Sequence, residues 1–208
     1  MSKNAEDSLM GMNVFERACQ RSGYKQIAGI DEAGRGALAG PVIAAAVILP
    51  INCNIKGLRD SKQVSPKQRA HLYDEIHNVA LSVGIGSADH EVIDRLNILE
   101  ATLLAMQEAV EKLTPSPDYL LVDGLNLPIT GIVGEAIPKG DSRSYSIAAA
   151  SIIAKITRDR RMVALDPAYP NYGFSRHKGY PTSQHRQAIA QFGASEIHRR
   201  TFKLLPDD

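Results

Sequence analysis

The chain has 208 residues, 44% of them hydrophobic, enough for one domain with a sizeable core. Its 24 Lys and Arg nearly balance 23 Asp and Glu, so net charge selects no partner. Residues 1–8 are polar and hold no apolar signal core, and the longest uncharged run, 37–55, contains Gly40, Pro41 and Pro50 and reads better as a buried strand with its flanks than as a membrane span. Cys19 and Cys53 form no metal or redox spacing and suit a reducing cytosol. A cytoplasmic protein with no membrane association is expected. Charge is uneven along the chain: residues 1–142 carry 13 Lys and Arg against 18 Asp and Glu, and residues 143–208 carry 11 against 5. This permits an acidic site beside a basic nucleic-acid surface.

In chain order, residues 9–22 read as a short helix with Leu9, Met12, Phe15 and Ala18 on one face. Residues 1–25 form an N-terminal extension with no assigned role, ahead of a single domain over 26–208. Gln26-Ile27-Ala28 opens a buried strand that delivers Gly29-Ile30-Asp31-Glu32-Ala33-Gly34-Arg35-Gly36. Two carboxylates at the end of an apolar strand lose hydration unless a cation or donors compensate. Hard oxygen ligands of this kind suit Mg²⁺ or Mn²⁺. Successive strand residues face opposite sides, so Asp31 and Glu32 both point inward only if one sits at the strand's end or on a bulge. Gly34-Arg35-Gly36 lets backbone approach a ligand, and the guanidinium fits a phosphate. Pro41 to Leu49 is a second apolar strand.

Gly57 to Lys62 reads as a loop. Ser65 caps a helix with Pro66 at its first position, running to about Val79. Ala80 to Ser87 is a strand, Asp89 caps a short helix, and Asn97 starts a longer one ending near Leu113. Leu99, Leu103, Met106 and Val110 supply its apolar stripe. Tyr119 to Gly124 is a strand delivering Asp123, and Ile132 to Pro138 another, followed by Asp141. Three strand ends thus present Asp31/Glu32, Asp123 and Asp141, and sites in α/β sheets gather at strand ends. Ser144 to about Leu165 is a helix whose small residues allow close packing, with Lys155 and Arg158 on adjacent turns. Asp159, mid-helix beside basic residues, reads as an ion-pair partner outside any metal site. Residues 171–182 form a loop in which Tyr172, Phe174 and Tyr180 flank the basic run Arg176-His177-Lys178, a composition suited to stacking and phosphate contact. Thr182 caps a helix that stops at Gly193, and His198-Arg199-Arg200 adds a basic cluster.

The opening motif, Asp60-Ser61-Lys62, Val122-Asp123-Gly124, Lys139-Gly140-Asp141, the helix from Ser146 to Asp159, Tyr172-Gly173-Phe174, His177-Lys178-Gly179-Tyr180 and His198-Arg199-Arg200 stand in the order of the ribonuclease HII family. The chain resembles that family over most of residues 26–202. Ala37 replaces the family's usual Pro, and Gln63-Val64 the commoner Lys-Leu. The resemblance implies an α/β, RNase H-like fold: a mixed central sheet flanked by helices, with a helical C-terminal part. It implies a Mg²⁺- or Mn²⁺-dependent endonuclease acting on the RNA strand of RNA–DNA hybrids and on single ribonucleotides in duplex DNA. By motif, Asp31, Glu32, Asp123 and Asp141 are the expected metal-binding acids. Gly34, Arg35, Gly36 and Tyr180 are the expected readers of the ribonucleotide junction, and Lys62 and Lys155 further phosphate contacts. A monomer is expected, with no clamp-docking motif evident.

Two other readings compete. A metal-free ribonuclease would use a histidine pair, for which His177 and His198 are candidates, and would leave a 2′,3′-cyclic phosphate. A non-catalytic hybrid-binding protein would need only the basic loop.

Overall fold

The computed structural model describes residues 12–59, 61 and 64–205. Five strands form one mixed sheet: β1 (Ile27–Ala33), β2 (Val42–Ile48), β3 (Ser82–Ala88), β4 (Tyr119–Asp123) and β5 (Gly134–Ile137), in the order β3-β2-β1-β4-β5. β1, β2 and β3 pair antiparallel, while β4 joins β1, and β5 joins β4, in parallel. Among the described residues, the α-helices are α1 (Val14–Arg21), α2 (Pro66–Val79), α3 (His90–Leu96), α4 (Ile98–Glu111), α5 (Tyr145–Leu165), α6 (Phe174–His177) and α7 (Ser183–Phe192). The expected start residues do their work: the Ser65, Asp89, Asn97 and Thr182 side chains each accept from a backbone N–H in the first turn of their helix, and Ser144, read as the first residue of its helix, caps α5 in the same way.

All seven residues of β2 are buried, which explains their continuous apolar run: this strand has a helix on either side. On one face Ala28, Ile30, Val42, Ala44, Ala46 and Ile48 pack against α4. On the other, Ala45 and Val47 meet α5, with Leu72 and Ile76 of α2 in the same cluster. Both helices come very close. A Cβ on Gly29 would fall 2.1 Å from the Ser146 carbonyl carbon, and one on Gly86 would fall 2.0 Å from the Ala105 carbonyl oxygen. The stripe of α4 is accordingly built on Ala101, Ala105 and Ala109 together with Met106 and Val110, whereas Leu103 is only partly buried at its margin.

α1 confirms the early helix from Val14 on; Leu9 lies outside the described residues. Cys19, not Ala18, is its buried residue, packed with Ile27, Leu121, Ile137 and Ile147. Glu16 Oε1 accepts from the Ser144 hydroxyl at 2.6 Å, the Ser146 hydroxyl at 2.7 Å and the Ser146 N–H at 2.9 Å. A carboxylate there complements the positive end of α5. Among the described residues, no helix is long and apolar enough to cross a membrane.

Candidate active site

β1 runs on through both acids, so Asp31 and Glu32 lie within the strand and not beyond its end. Pleating then separates them. Asp31 shares the face of Gly29, toward α5, and its side chain meets Ser151 of that helix. Glu32 takes the opposite side. Asp123 is the last residue of β4, beside β1 in the parallel pair. Asp141 follows β5 in a 3₁₀ turn, Gly140–Ser142, entered through Lys139 in the left-handed region. The Gly140 N–H donates to Asp123 Oδ1 at 2.6 Å, tying the turn to the strand end.

One carboxylate oxygen from each of Asp31, Asp123 and Asp141 lies within 4.8 Å of the other two. Glu32 is not in that group; its Oε1 pairs with Arg35 Nη1 at 3.3 Å. Asp31 is only 5% exposed. Burial, then the charges of Glu32 and Asp123, push its carboxyl well above the usual carboxylate range, against the opposing effect of the Glu32 N–H, which donates to Asp31 Oδ1 at 2.7 Å. Three hard oxygen donors so close, with no Cys or His among them, match the ligand chemistry of Mg²⁺ or Mn²⁺. Ser151 also donates to the Ser61 hydroxyl at 2.8 Å. The serine of the Asp60-Ser61-Lys62 motif is therefore buried against the site; Lys62 lies outside the described residues.

The Gly34–Gly36 turn is held from beneath by two fully buried arginines. Arg158 donates to the carbonyls of Pro41, Lys178 and Ala39 at 2.9, 3.0 and 3.2 Å. Arg199 donates twice to the Gly40 carbonyl and once to that of Arg35. The sequence set Arg158 beside Lys155 on adjacent helical turns and Arg199 in a basic cluster; both are structural, because loop carbonyls replace the hydration of their guanidinium groups. Gly34 has φ +102°, and a Cβ there would fall 2.0 Å from Arg158 Nε, whereas a Cβ on Gly36 would meet nothing within 4 Å. The exposed side chain of Arg35 lies on the open side.

The loop after α5 is also more structural than its composition suggested. Tyr172, Phe174 and His177 are buried. Tyr172 and Phe174 stack with centroids 5.5 Å apart, and Phe174 meets His177, His185 and His198 edge-on or tilted. Tyr180 alone of the three aromatics keeps a partly open face. Its ring lies 5.0 Å from the Arg158 guanidinium carbon and 5.3 Å from Lys155 Nζ. Lys155 pairs with Asp159 at 2.7 Å, the ion pair expected for that carboxylate. The Gly179 carbonyl accepts from the Leu38 N–H at 2.8 Å, which sets this loop against the glycine turn.

The histidine pair proposed for metal-free chemistry is not available for it. His177 Nδ1 accepts from the Gly179 N–H, and its Nε2 lies 2.7 Å from the Tyr172 carbonyl. His198 is fully buried, and burial, then His185, pushes its pKa down to about 4. Both rings are held neutral by the fold and spend their nitrogens on structural bonds.

Comparison with known proteins agrees with the sequence resemblance. The family model described as Ribonuclease HII matches residues 28–205. Ribonuclease HII of Geobacter sulfurreducens is 58% identical over 189 residues, covering 91% of this chain and 87% of that protein. The Bacillus subtilis protein is 49% identical over 200 residues, covering 96% and 78%. Among solved structures, the ribonuclease HII of Archaeoglobus fulgidus, determined in complex with PCNA, superposes with a TM-score of 0.74 at 28% identity, covering 86% of this chain and 96% of that one. The ribonuclease H2 of Pyrococcus horikoshii gives 0.71 at 28%, covering 86% and 95%. The fold is the RNase H-like one expected, and the chain belongs to the ribonuclease HII family.

Proposed function

We propose that this chain is a divalent-metal-dependent endonuclease that hydrolyses the RNA strand of RNA–DNA hybrids and incises duplex DNA at single embedded ribonucleotides, leaving 3′-OH and 5′-phosphate ends. The observation that carries the reading is the convergence of Asp31, Asp123 and Asp141 within 4.8 Å in a chain of this family. These three carboxylates would hold Mg²⁺ or Mn²⁺, with Glu32 acting from the other side of the strand through its charge. When bound, such an ion lowers the pKa of water and stabilises charge on phosphate oxygens.

The remaining work falls to the chain's own residues. Gly36 offers backbone with open space above it, and Arg35 an exposed guanidinium for a phosphate beside the cut. Tyr180 has a ring face for the sugar and a hydroxyl for the 2′-OH, the group that separates RNA from DNA. Lys155, beside that ring, adds positive charge for the backbone, and Lys62 is assigned by motif. The enzyme is proposed to act as a monomer.

The test is a DNA duplex carrying one ribonucleotide, incubated with Mg²⁺, with Mn²⁺ and with chelator, followed by end-group analysis. Metal-dependent incision with 3′-OH ends supports the reading. Metal-independent cleavage leaving a 2′,3′-cyclic phosphate overturns it, and so does binding without cleavage at any metal concentration.

A further inference from the structure

Tyr180 is tied at its backbone to a chain of buried groups with one hydrogen-bond direction. His185 and His198 are both fully buried. The Ser195 N–H donates to His198 Nδ1 at 2.9 Å, so that nitrogen carries no proton. A neutral His198 then has its proton on Nε2, which lies 3.0 Å from His185 Nε2. That nitrogen must accept, which leaves the His185 proton on Nδ1, 3.0 Å from the Tyr180 carbonyl. A backbone N–H cannot reverse, so the first bond dictates the direction of the others.

The two ends of this chain are functionally placed. The Tyr180 carbonyl also accepts from the Thr182 N–H at 2.8 Å, and Thr182 caps α7, which carries His185. At the other end, His198 bridges to Ala39, and its neighbour Arg199 donates to the Arg35 carbonyl at 2.9 Å. The segment that anchors the relay thus also anchors the glycine turn. Phe174 packs against both rings. An apolar side chain at 185 would fill the same space but leave the Tyr180 carbonyl with Thr182 alone.

We propose that the Ser195–His198–His185 relay is a positioning device for Tyr180, and that it sets how strongly the enzyme favours a single ribonucleotide in DNA over a continuous hybrid. This rests on the role given to Tyr180 above. A single junction fixes one register, so a displaced Tyr180 is felt in full; a long hybrid offers many registers and tolerates the shift.

The test measures kcat and KM separately on both substrates, in variants whose folding is confirmed by circular dichroism and urea unfolding. The relevant quantity is the ratio of kcat/KM on the junction duplex to that on the hybrid. His185→Leu and His198→Leu should lower the ratio about two- to tenfold, the range expected for one hydrogen bond between neutral groups. His198→Gln, which keeps a donor facing His185, should restore most of it. In a Tyr180→Ala background, His185→Leu should lower it no further. If the leucine variants do not fold, His185→Asn and His185→Gln carry the test. Asn places its amide nitrogen near the Nδ1 position and should keep the ratio; Gln places it near Nε2 and should lose it. Equal ratios for Asn and Gln, or an unchanged ratio in folded His185→Leu while Tyr180→Ala changes it, overturn the relay. An unchanged ratio in Tyr180→Ala overturns the role of Tyr180 itself, and the relay with it.

Discussion

The Arg158 guanidinium carbon lies 5.0 Å from the centre of the Tyr180 ring, and its Nε sits 2.0 Å from where a Cβ on Gly34 would be. One buried side chain therefore separates the two loops proposed to read the ribonucleotide junction. It excludes any side chain at Gly34 while leaving Gly36 open.

That asymmetry gives a prediction. Gly34→Ala forces an L side chain into φ +102° and into Arg158, so it should destabilise the fold by at least about 1–2 kcal/mol. Gly36→Ala should leave the urea midpoint nearly unchanged and lower junction cleavage, because its methyl would occupy the space assigned to substrate. Equal loss of stability in the two variants would contradict this placement.

Acid should loosen the loop that carries Tyr180. Burial, as the first cause for each, lowers the pKa of His185 and of His198 from 6.5 to about 4. The groups facing them are His177, Arg186 and Arg200, together with their mutual contact. Between these values the unfolded chain binds more protons than the folded one. The contribution is therefore complete above pH 6.5 and lost as pH falls toward 4. At about 1.4 kcal/mol per unit this amounts to roughly 3 kcal/mol for one such group, the pair being coupled. Asp31, raised by burial, is relieved over acid pH and works in the opposite sense. The clean measurement is the difference between wild type and a folded His185→Leu/His198→Leu protein: wild-type stability should fall more steeply from pH 6.5 to 4. Parallel curves would contradict it.

β3 is an edge strand with guarded backbone. The Ser87 N–H donates to Glu108 Oε2 at 2.8 Å, Lys112 Nζ donates to the Ile85 carbonyl at 2.8 Å, and Glu108 of α4 pairs at 2.6 Å with Lys112, which caps the C-terminal end of that helix. An open edge is a template for pairing with another chain. Glu108→Ala/Lys112→Ala should cost little stability, since an exposed pair contributes about 0–1 kcal/mol, yet raise concentration-dependent self-association in sedimentation velocity. An unchanged sedimentation profile would show that the pair does not guard the edge.

The sequence was legible where chemistry is local. Apolar runs ending in Asp31, Asp123 and Asp141 predicted that these residues converge, and Ser65, Asp89, Asn97 and Thr182 predicted where helices begin. It was not legible where a residue's partners lie far along the chain. Arg158 reads like its exposed neighbours Arg160 and Arg161 until the carbonyls of Ala39 and Pro41, more than a hundred residues away, replace its water. His198 and Arg199 resemble a surface basic cluster for the same reason. Tyr172 and Phe174 resemble stacking platforms, but they fill the core beneath α7. The pleat warned that Asp31 and Glu32 would part; only the continuous register of β1 with β2 decided which of them joined the other acids.

The cluster of Asp31, Asp123 and Asp141 is proposed to work by holding a divalent ion. The most direct test is Asp123→Asn, assayed on a single-ribonucleotide duplex across a Mg²⁺ and Mn²⁺ titration, with substrate binding measured in parallel. The substitution keeps the size of the side chain and an acceptor oxygen for the Gly140 N–H, and removes the charge. Cleavage should be abolished at limiting metal while the duplex still binds with near wild-type affinity. Near-normal turnover of Asp123→Asn at limiting metal would contradict the account.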